Sequence, residues 1–277
     1  MVKISFQIIT FNSLSILPQG MFKACLDNIY SFAHEILIAE GAVEPTFDNK
    51  GDATSLSSDG RSTDGTLEFL YSYYDPDKKV KIFKKDDYWC GKTEMCNIIS
   101  QNATGDYLWQ VDSDEFFHKE DIEKIIDILS IQEFDRVDFY ANQFCKDFYH
   151  CCDEEDVYWS NLIPWMRIFR HEPKSQWYSH APPIYLDSQG QVRNKNVLTR
   201  DMTLMMGIKL YHYSMVSRTQ AEFKQKYYKA GGVDWLELYD WWQEKKENNR
   251  VIGESKFKKF DGRHPSIIEE LIKNEIK

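Results

Sequence analysis

The pattern of apolar and polar positions in the first 115 residues alternates between two periods. KISFQIITF (3–11) is a β-branched and aromatic run and predicts a buried strand. Between Gly20 and Phe32, the apolar residues Phe22, Leu26, Ile29 and Tyr30 fall at helical spacing, and EILIAE (35–40) is again a strand. This β-α-β order predicts a parallel pair with a right-handed crossover. A polar stretch, 41–58, has no clear period. LEFLYSYY then predicts a helix capped by Ser62 or Thr63, with Asp64 in its first turn, where a carboxylate suits the helix dipole. VKIFKK (80–85) is a third strand, Thr93–Asn102 a helix, DYLWQV (106–111) a fourth strand and HKEDIEKIIDILS (118–130) an amphipathic helix.

The second half is less regular. RVDFYANQF (136–144), WMRIFRH (165–171) and KLYHYSM (209–215) predict strands. Arg167 and Arg170 alternate with Ile168 and Phe169 and are expected on one strand face, paired with acids rather than bound to phosphate. CKDFYHCCDEEDVYWSN (145–161) is acidic and aromatic without periodicity, as a long functional loop would be. Residues 221–249 are mostly helical, broken at Gly231 and Gly232. An α/β nucleotide-binding half joined to a more variable acceptor half accounts for this change of pattern.

Composition narrows the partners. The chain has 277 residues, 42% apolar, which suits one large domain or a domain with an appendage. A net charge of −10 disfavours nucleic acid and anionic membrane surfaces, but allows a phosphorylated ligand bridged by a metal ion. No run approaches the roughly 20 apolar residues of a membrane helix, and MVKISFQIITFN lacks the features of a signal peptide. The expectation is a cytoplasmic protein with no transmembrane segment. None of the six cysteines forms a CxxC pair, so reduced thiols are expected rather than a zinc site.

Candidate chemistry falls where strands end, because ligands of open parallel sheets sit beyond the carboxyl ends. TFN follows the first strand, Glu40 and Gly41 the second, and VDSDEFF (111–117) the fourth. Asp112 and Asp114 are two apart, so on extended chain both carboxylates lie on one side. Such a pair repels unless a cation shields it, and hard oxygen ligands suit Mg2+ or Mn2+. The competing reading is that these acids cap helix 118–130; Glu115 is assigned that role, and Phe116 and Phe117 a place in the core. An EF-hand fails, because the sixth position lacks glycine.

SDGRSTDGT (58–66) resembles the DDGSTDGT segment of family-2-like glycosyltransferases, and VDSDE resembles their metal-binding DXD motif. GKTEMCNIISQNATGDYLWQ (91–110) is similar to the family's basic residue and asparagine on a helix before a Gly-Asp-aromatic strand. HYSMVSRTQAEFKQKYY (212–228) is similar to a segment found after the core in many relatives. The resemblance covers roughly residues 1–120 well and 205–230 moderately. It implies a GT-A fold, a mostly parallel mixed α/β sheet flanked by helices, with a UDP- or GDP-sugar as donor and a glycan or other hydroxyl as acceptor. The expected organisation is a catalytic domain over 1–200, divided into a nucleotide-sugar-binding half (1–116) and an acceptor half (117–200), with a strand and helical extension over 201–277. By the same resemblance, Thr10, Phe11 and Glu40 meet the nucleoside. Lys92 neutralises the donor phosphates or touches the sugar. Asp112 faces ribose or metal, Asp114 ligates a Mn2+ or Mg2+ ion, and His212 completes its site.

About eighteen residues intervene between Glu40 and Asp59, where the family usually runs straight on; Glu40 is preferred for the nucleoside because it ends the strand, and Asp59 is read as a turn residue. The catalytic base is open between His180 and the acids of DEED (153–156), notably Asp153 and Glu155. One or two of Trp89, Trp159, Trp165 and Trp177 are expected on the acceptor side. The rival functions are a sugar-phosphate nucleotidyltransferase, disfavoured because ITFNSLSILP has no glycine or basic residue, and a catalytically inactive nucleotide- or sugar-binding module.

Overall fold

The computed structural model describes residues 2–44, 52–152, 164–228, 233–244 and 257–275. Among these, the apolar runs assemble into a seven-stranded sheet. β1 (Ile4–Thr10) is central, flanked in parallel by β2 (Glu35–Glu40) and β4 (Tyr107–Gln110), with β3 (Val80–Lys84) parallel beyond β2. Past β4 come β9 (Trp165–Arg170), antiparallel, then β6 (Arg136–Phe139) and the short β12 (Val197–Leu198). The order β3-β2-β1-β4-β9-β6-β12 is the mixed, mostly parallel GT-A-like sheet expected from the sequence.

The strands read as continuous apolar runs because both faces are covered. In β2, Ile36 and Ile38 enter one core and Leu37 and Ala39 the other. Helices α2 (Met21–Ile29) and α5 (Lys119–Ile131) supply Phe22, Leu26, Ile122 and Ile125 to the first core, and α4 (Lys92–Asn102) supplies Met95, Cys96 and Ile99 to the second. The remaining helices are α1 (Ser13–Ile16), α3 (Thr66–Ser72), α6 (Arg200–Met205), α7 (Arg218–Tyr227), α8 (Trp235–Glu244) and α9 (Ser266–Glu275).

A second sheet of five described strands has the order β14-β8-β7-β13-β5. It is built from β5 (Glu115–Phe116), β7 (Ala141–Cys145), β8 (His150–Cys152), β13 (Leu210–Met215) and β14 (Phe257–Lys259). The hairpin β10 (Gln176–Ser179) and β11 (Ile184–Leu186) stands apart.

The geometry corrects several expectations. The strand predicted over 136–144 divides at Tyr140, β6 joining the first sheet and β7 the second, with the Tyr140 carbonyl accepting from Leu210 N–H at 2.9 Å. Helix α3 begins after Gly65, and Asp64, not Ser62 or Thr63, accepts from the Thr66 N–H at 3.0 Å. Arg167 and Arg170 face opposite sides of β9, since side chains three apart on a strand alternate. Arg167 is buried, whereas Arg170 pairs with exposed Glu133.

Candidate active site

The carboxyl ends of β1 and β2 meet at a loop that the sequence marked out, SDGRSTDGT. Asn12, in left-handed conformation just after β1, donates its N–H to Ser62 Oγ at 2.8 Å and accepts the Thr63 N–H on Oδ1 at 2.7 Å. Glu40, at the end of β2, accepts the Ser62 N–H at 3.0 Å. Asp64 accepts the Ser15 N–H at 2.7 Å. Asp59 Oδ1 accepts the Arg61 N–H at 3.1 Å, a turn role as expected. Gly60 is required here: its φ is +79°, and a Cβ would lie 2.3 Å from the Asp87 carbonyl carbon. The stretch after β2 is not featureless, since Val43 bridges to Trp89 and Val43 and Ala53 are both buried.

Beside this loop lies a cleft of about 740 Å³. Thr10, Phe11, Lys92, Asp112, Asp114, His180 and His212 all line it, so seven of the predicted site residues are brought together. Glu40 stands behind its wall at 1% exposure, holding the loop. Burial outweighs the Ser62 hydrogen bonds and raises the Glu40 carboxyl above its ordinary pKa. Asp153 and Glu155 lie outside the described residues, as does Trp159. Trp89 and Trp177 are core residues, while Trp165 lines the cleft, its ring edge-on to His212 at 5.0 Å.

VDSDEFF does not run extended. The chain turns after β4, the Glu115 N–H donating to the Asp112 carbonyl at 2.9 Å, and the two aspartates therefore part company. Asp112 Oδ2 faces Arg167 at 3.4 Å, and Asp114 Oδ1 faces His212 Nε2 at 3.5 Å. Glu115 is no helix-start charge. It sits in β5, opposite His212 of β13, with its side chain fully buried. Arg167 grips it, Nε donating to Oε2 at 2.8 Å and Nη2 donating to Oε1. Burial raises the Glu115 carboxyl in spite of Arg167. At Asp112 burial also pushes upward, but Arg167, His180, Lys92 and His212 together draw the carboxyl below its usual range. Asp112 is therefore the anion at the centre of the cleft, with 31% of its side chain open to it.

The sequence reading missed the contribution of α7. Phe223, Lys224, Tyr227 and Tyr228 close one side of the cleft, and the Phe223 ring lies 6.5 Å from that of Phe11. The helical spacing of Phe223 with Tyr227, and of Lys224 with Tyr228, was the available signal. Helix α7 is held at its start by a capping box between Ser217 and Gln220.

A cleft beyond the carboxyl ends of parallel strands, with acids after β4 and a lysine from the helix that precedes it, lies where open α/β sheets place their ligands. Residues 54–185 match the family model for Glycosyl transferase family 2. An uncharacterized glycosyltransferase of Haemophilus influenzae is 29% identical over 126 residues, 46% of this chain and 42% of that protein. The match thus takes in less than half the length of that relative. Among solved structures, S. aureus TarS 1-349 covers 86% of this chain and 70% of its own at 16% identity and a TM-score of 0.46. The same protein in complex with UDP-GlcNAc covers 61% and 45% at 17% identity and a TM-score of 0.39. Among the described residues no helix is long and apolar enough to cross a membrane.

Proposed function

We propose that this chain is a glycosyltransferase that moves a sugar from a nucleoside-diphosphate donor, a UDP- or GDP-sugar, to an acceptor hydroxyl of a glycan or other substrate. The observation that carries the reading is the convergence of Thr10, Phe11, Lys92, Asp112, Asp114 and His212 on one cleft, with Lys92, Asp112 and Asp114 inside the stretch that matches the family model. Phe11 offers an apolar face at the end of β1 for the base. Lys92 stays charged: burial opposes the ammonium, but Tyr227, Tyr228 and Asp112 outweigh it and raise its pKa.

The residues fit a divalent ion as a two-ligand site. A separation of 3.5 Å between Asp114 Oδ1 and His212 Nε2 is too long for a good hydrogen bond, yet two bonds of about 2.1 Å each span it. Among the described residues no group of three or more His, Cys, Asp or Glu side chains gathers around one point. Asp114 and His212 would therefore hold Mn2+ or Mg2+ with the rest of its sphere taken from phosphate oxygens and water. When bound, the ion supplies positive charge to the leaving diphosphate.

His180, lining the cleft near Asp112, is the base the described residues favour. The acceptor oxygen attacks the anomeric carbon, the bond to the diphosphate oxygen breaks, and the acceptor proton passes to the imidazole. Attack opposite the leaving group inverts the anomeric configuration. The experiment is thermal melting with UDP and GDP, with and without Mn2+, followed by a donor-hydrolysis screen. Wild-type protein is expected to melt higher with one nucleotide plus Mn2+, and Asp114→Ala to lose that increment. Absence of stabilisation by either nucleotide in the wild type refutes the reading.

A further inference from the structure

Away from the cleft, the second sheet brings two thiols together. Cys145 of β7 and Cys152 of β8 place their sulfurs 2.7 Å apart. The two strands run antiparallel with Phe144 opposite Cys151, so Cys145 and Cys152 are diagonal neighbours on the other face. Phe144 and Cys151 enter the first core, whereas Cys145 and Cys152 share a small apolar cluster with Met215 of β13, Ala221 of α7 and Tyr239 of α8. The Cys145 thiol also reaches the Gln143 carbonyl at 3.7 Å.

The remaining cysteines are placed differently. Cys25 donates to the Asp112 carbonyl at 3.7 Å, Cys96 accepts from Gln7 Nε2 at 3.1 Å, and Cys90 is exposed. Among the described residues no three His, Cys, Asp or Glu side chains gather around one point, so the pair is not part of a zinc site. Two sulfurs this close on adjacent strands need only a small movement to reach the bond length of about 2.05 Å.

We propose that Cys145 and Cys152 are a redox modification site, which closes to a disulfide between β7 and β8 in the presence of a low-molecular-weight disulfide such as oxidised glutathione. One cysteine, as thiolate, attacks the reagent's S–S bond and releases one thiol. The second cysteine attacks the mixed disulfide and releases the other. The protein's two thiols give up two electrons and two protons, and the reagent's two sulfurs take them. Both side chains are buried, at 3% and 8% exposure, so the exchange is slow and proceeds as the hairpin opens locally. The bond would stiffen the sheet beside the strand that carries His212, because Cys145 pairs with Met215 of β13 and the Lys146 N–H donates to the Met215 carbonyl at 2.8 Å. None of this depends on the transferase reading.

The test is prolonged incubation of the full chain in glutathione buffers of graded oxidation, followed by thiol blocking and peptide mapping without reduction. Trypsin cuts after Lys146, so the bond reads as a link between two peptides. The link is expected in the wild type and in Cys151→Ser, and is expected to be lost in Cys145→Ser and Cys152→Ser. Closing so short a loop should raise the melting midpoint of the linked protein by about 5 °C over the reduced form. The wild type decides by itself should a variant fail to fold. A folded wild type with no link at the most oxidising ratio, or with glutathione adducts on these cysteines in its place, overturns the proposal. So does a link that survives Cys152→Ser, which would assign the bond to Cys151, or a link that leaves the midpoint unchanged.

Discussion

Replacing Arg167 by Met removes the sole guanidinium that faces both Glu115 and Asp112 among the described contacts. The side chain of Glu115 is 0% exposed and that of Arg167 only 6%, so no solvent screens the pair. Breaking such a pair from one side costs about 3–5 kcal/mol, because a carboxylate is left buried without compensation. At roughly 2–3 °C per kcal/mol for a domain of this size, the melting midpoint should fall by about 6–15 °C. The dependence on pH has a definite sign. Glu115 has its folded-state pKa raised by burial, so its contribution is favourable below its unfolded pKa and is lost as pH rises through the folded value. Losing Arg167 raises that folded value further, and the deficit of the variant should shrink between pH 7.5 and pH 5.5. The assay is a circular dichroism melt of wild type, Arg167→Met and Arg167→Met/Glu115→Leu at both pH values. The double variant should recover most of the loss, since an apolar pair of similar volume replaces the ions. A single variant melting within about 2 °C of wild type at pH 7.5, or a double variant no better than the single, refutes the account.

Three further outcomes are expected. Glu35 accepts from Ser5 Oγ at 2.7 Å, from the Thr104 N–H and hydroxyl, and from Lys81 Nζ at 2.7 Å; burial opposes ionisation, but these partners pull its pKa down to about 2. Its stabilisation is present above the unfolded value and is lost as pH falls toward 2, so Glu35→Gln should flatten the acid limb of a stability–pH curve, by roughly 1–2 kcal/mol after allowance for screening. Gly60→Ala should lower stability by about 1–3 kcal/mol in a urea titration, because the new Cβ meets the Asp87 backbone at 2.3 Å in a left-handed conformation; an unchanged midpoint would show that the loop gives way. Trp165→Ala, at the cleft wall against His212, should raise the apparent KM for acceptor more than that for donor in transfer assays; the reverse ordering would place the ring on the donor side.

The amino-acid sequence by itself determined the sheet, the strand ends and most of the cleft. Short continuous apolar runs and the alternation of strand with helix specify β1 to β4, and ligands of such a sheet sit beyond the carboxyl ends of its strands. Thr10, Asp112 and Asp114 were legible at strand ends, and Lys92 and His212 came with the resemblance. Only tertiary structure decided the partners within the cluster. Glu115 looked like a helix-start charge because local sequence cannot reveal a strand of two residues, which exists only where β13 arrives from a hundred residues away to pair with it. Arg167 was expected to pair with acids, but which acids depends on β9 lying antiparallel beside β4. Glu40 was placed at the ligand by its strand end, and the SDGRSTDGT loop, folding over it, made it a support for that loop. How α7 and β13 meet α4 across the cleft was out of reach of any local pattern. Lys92, Ser214 and Lys224 belong to three elements, and the wall they share is a property of the space between them rather than of any segment.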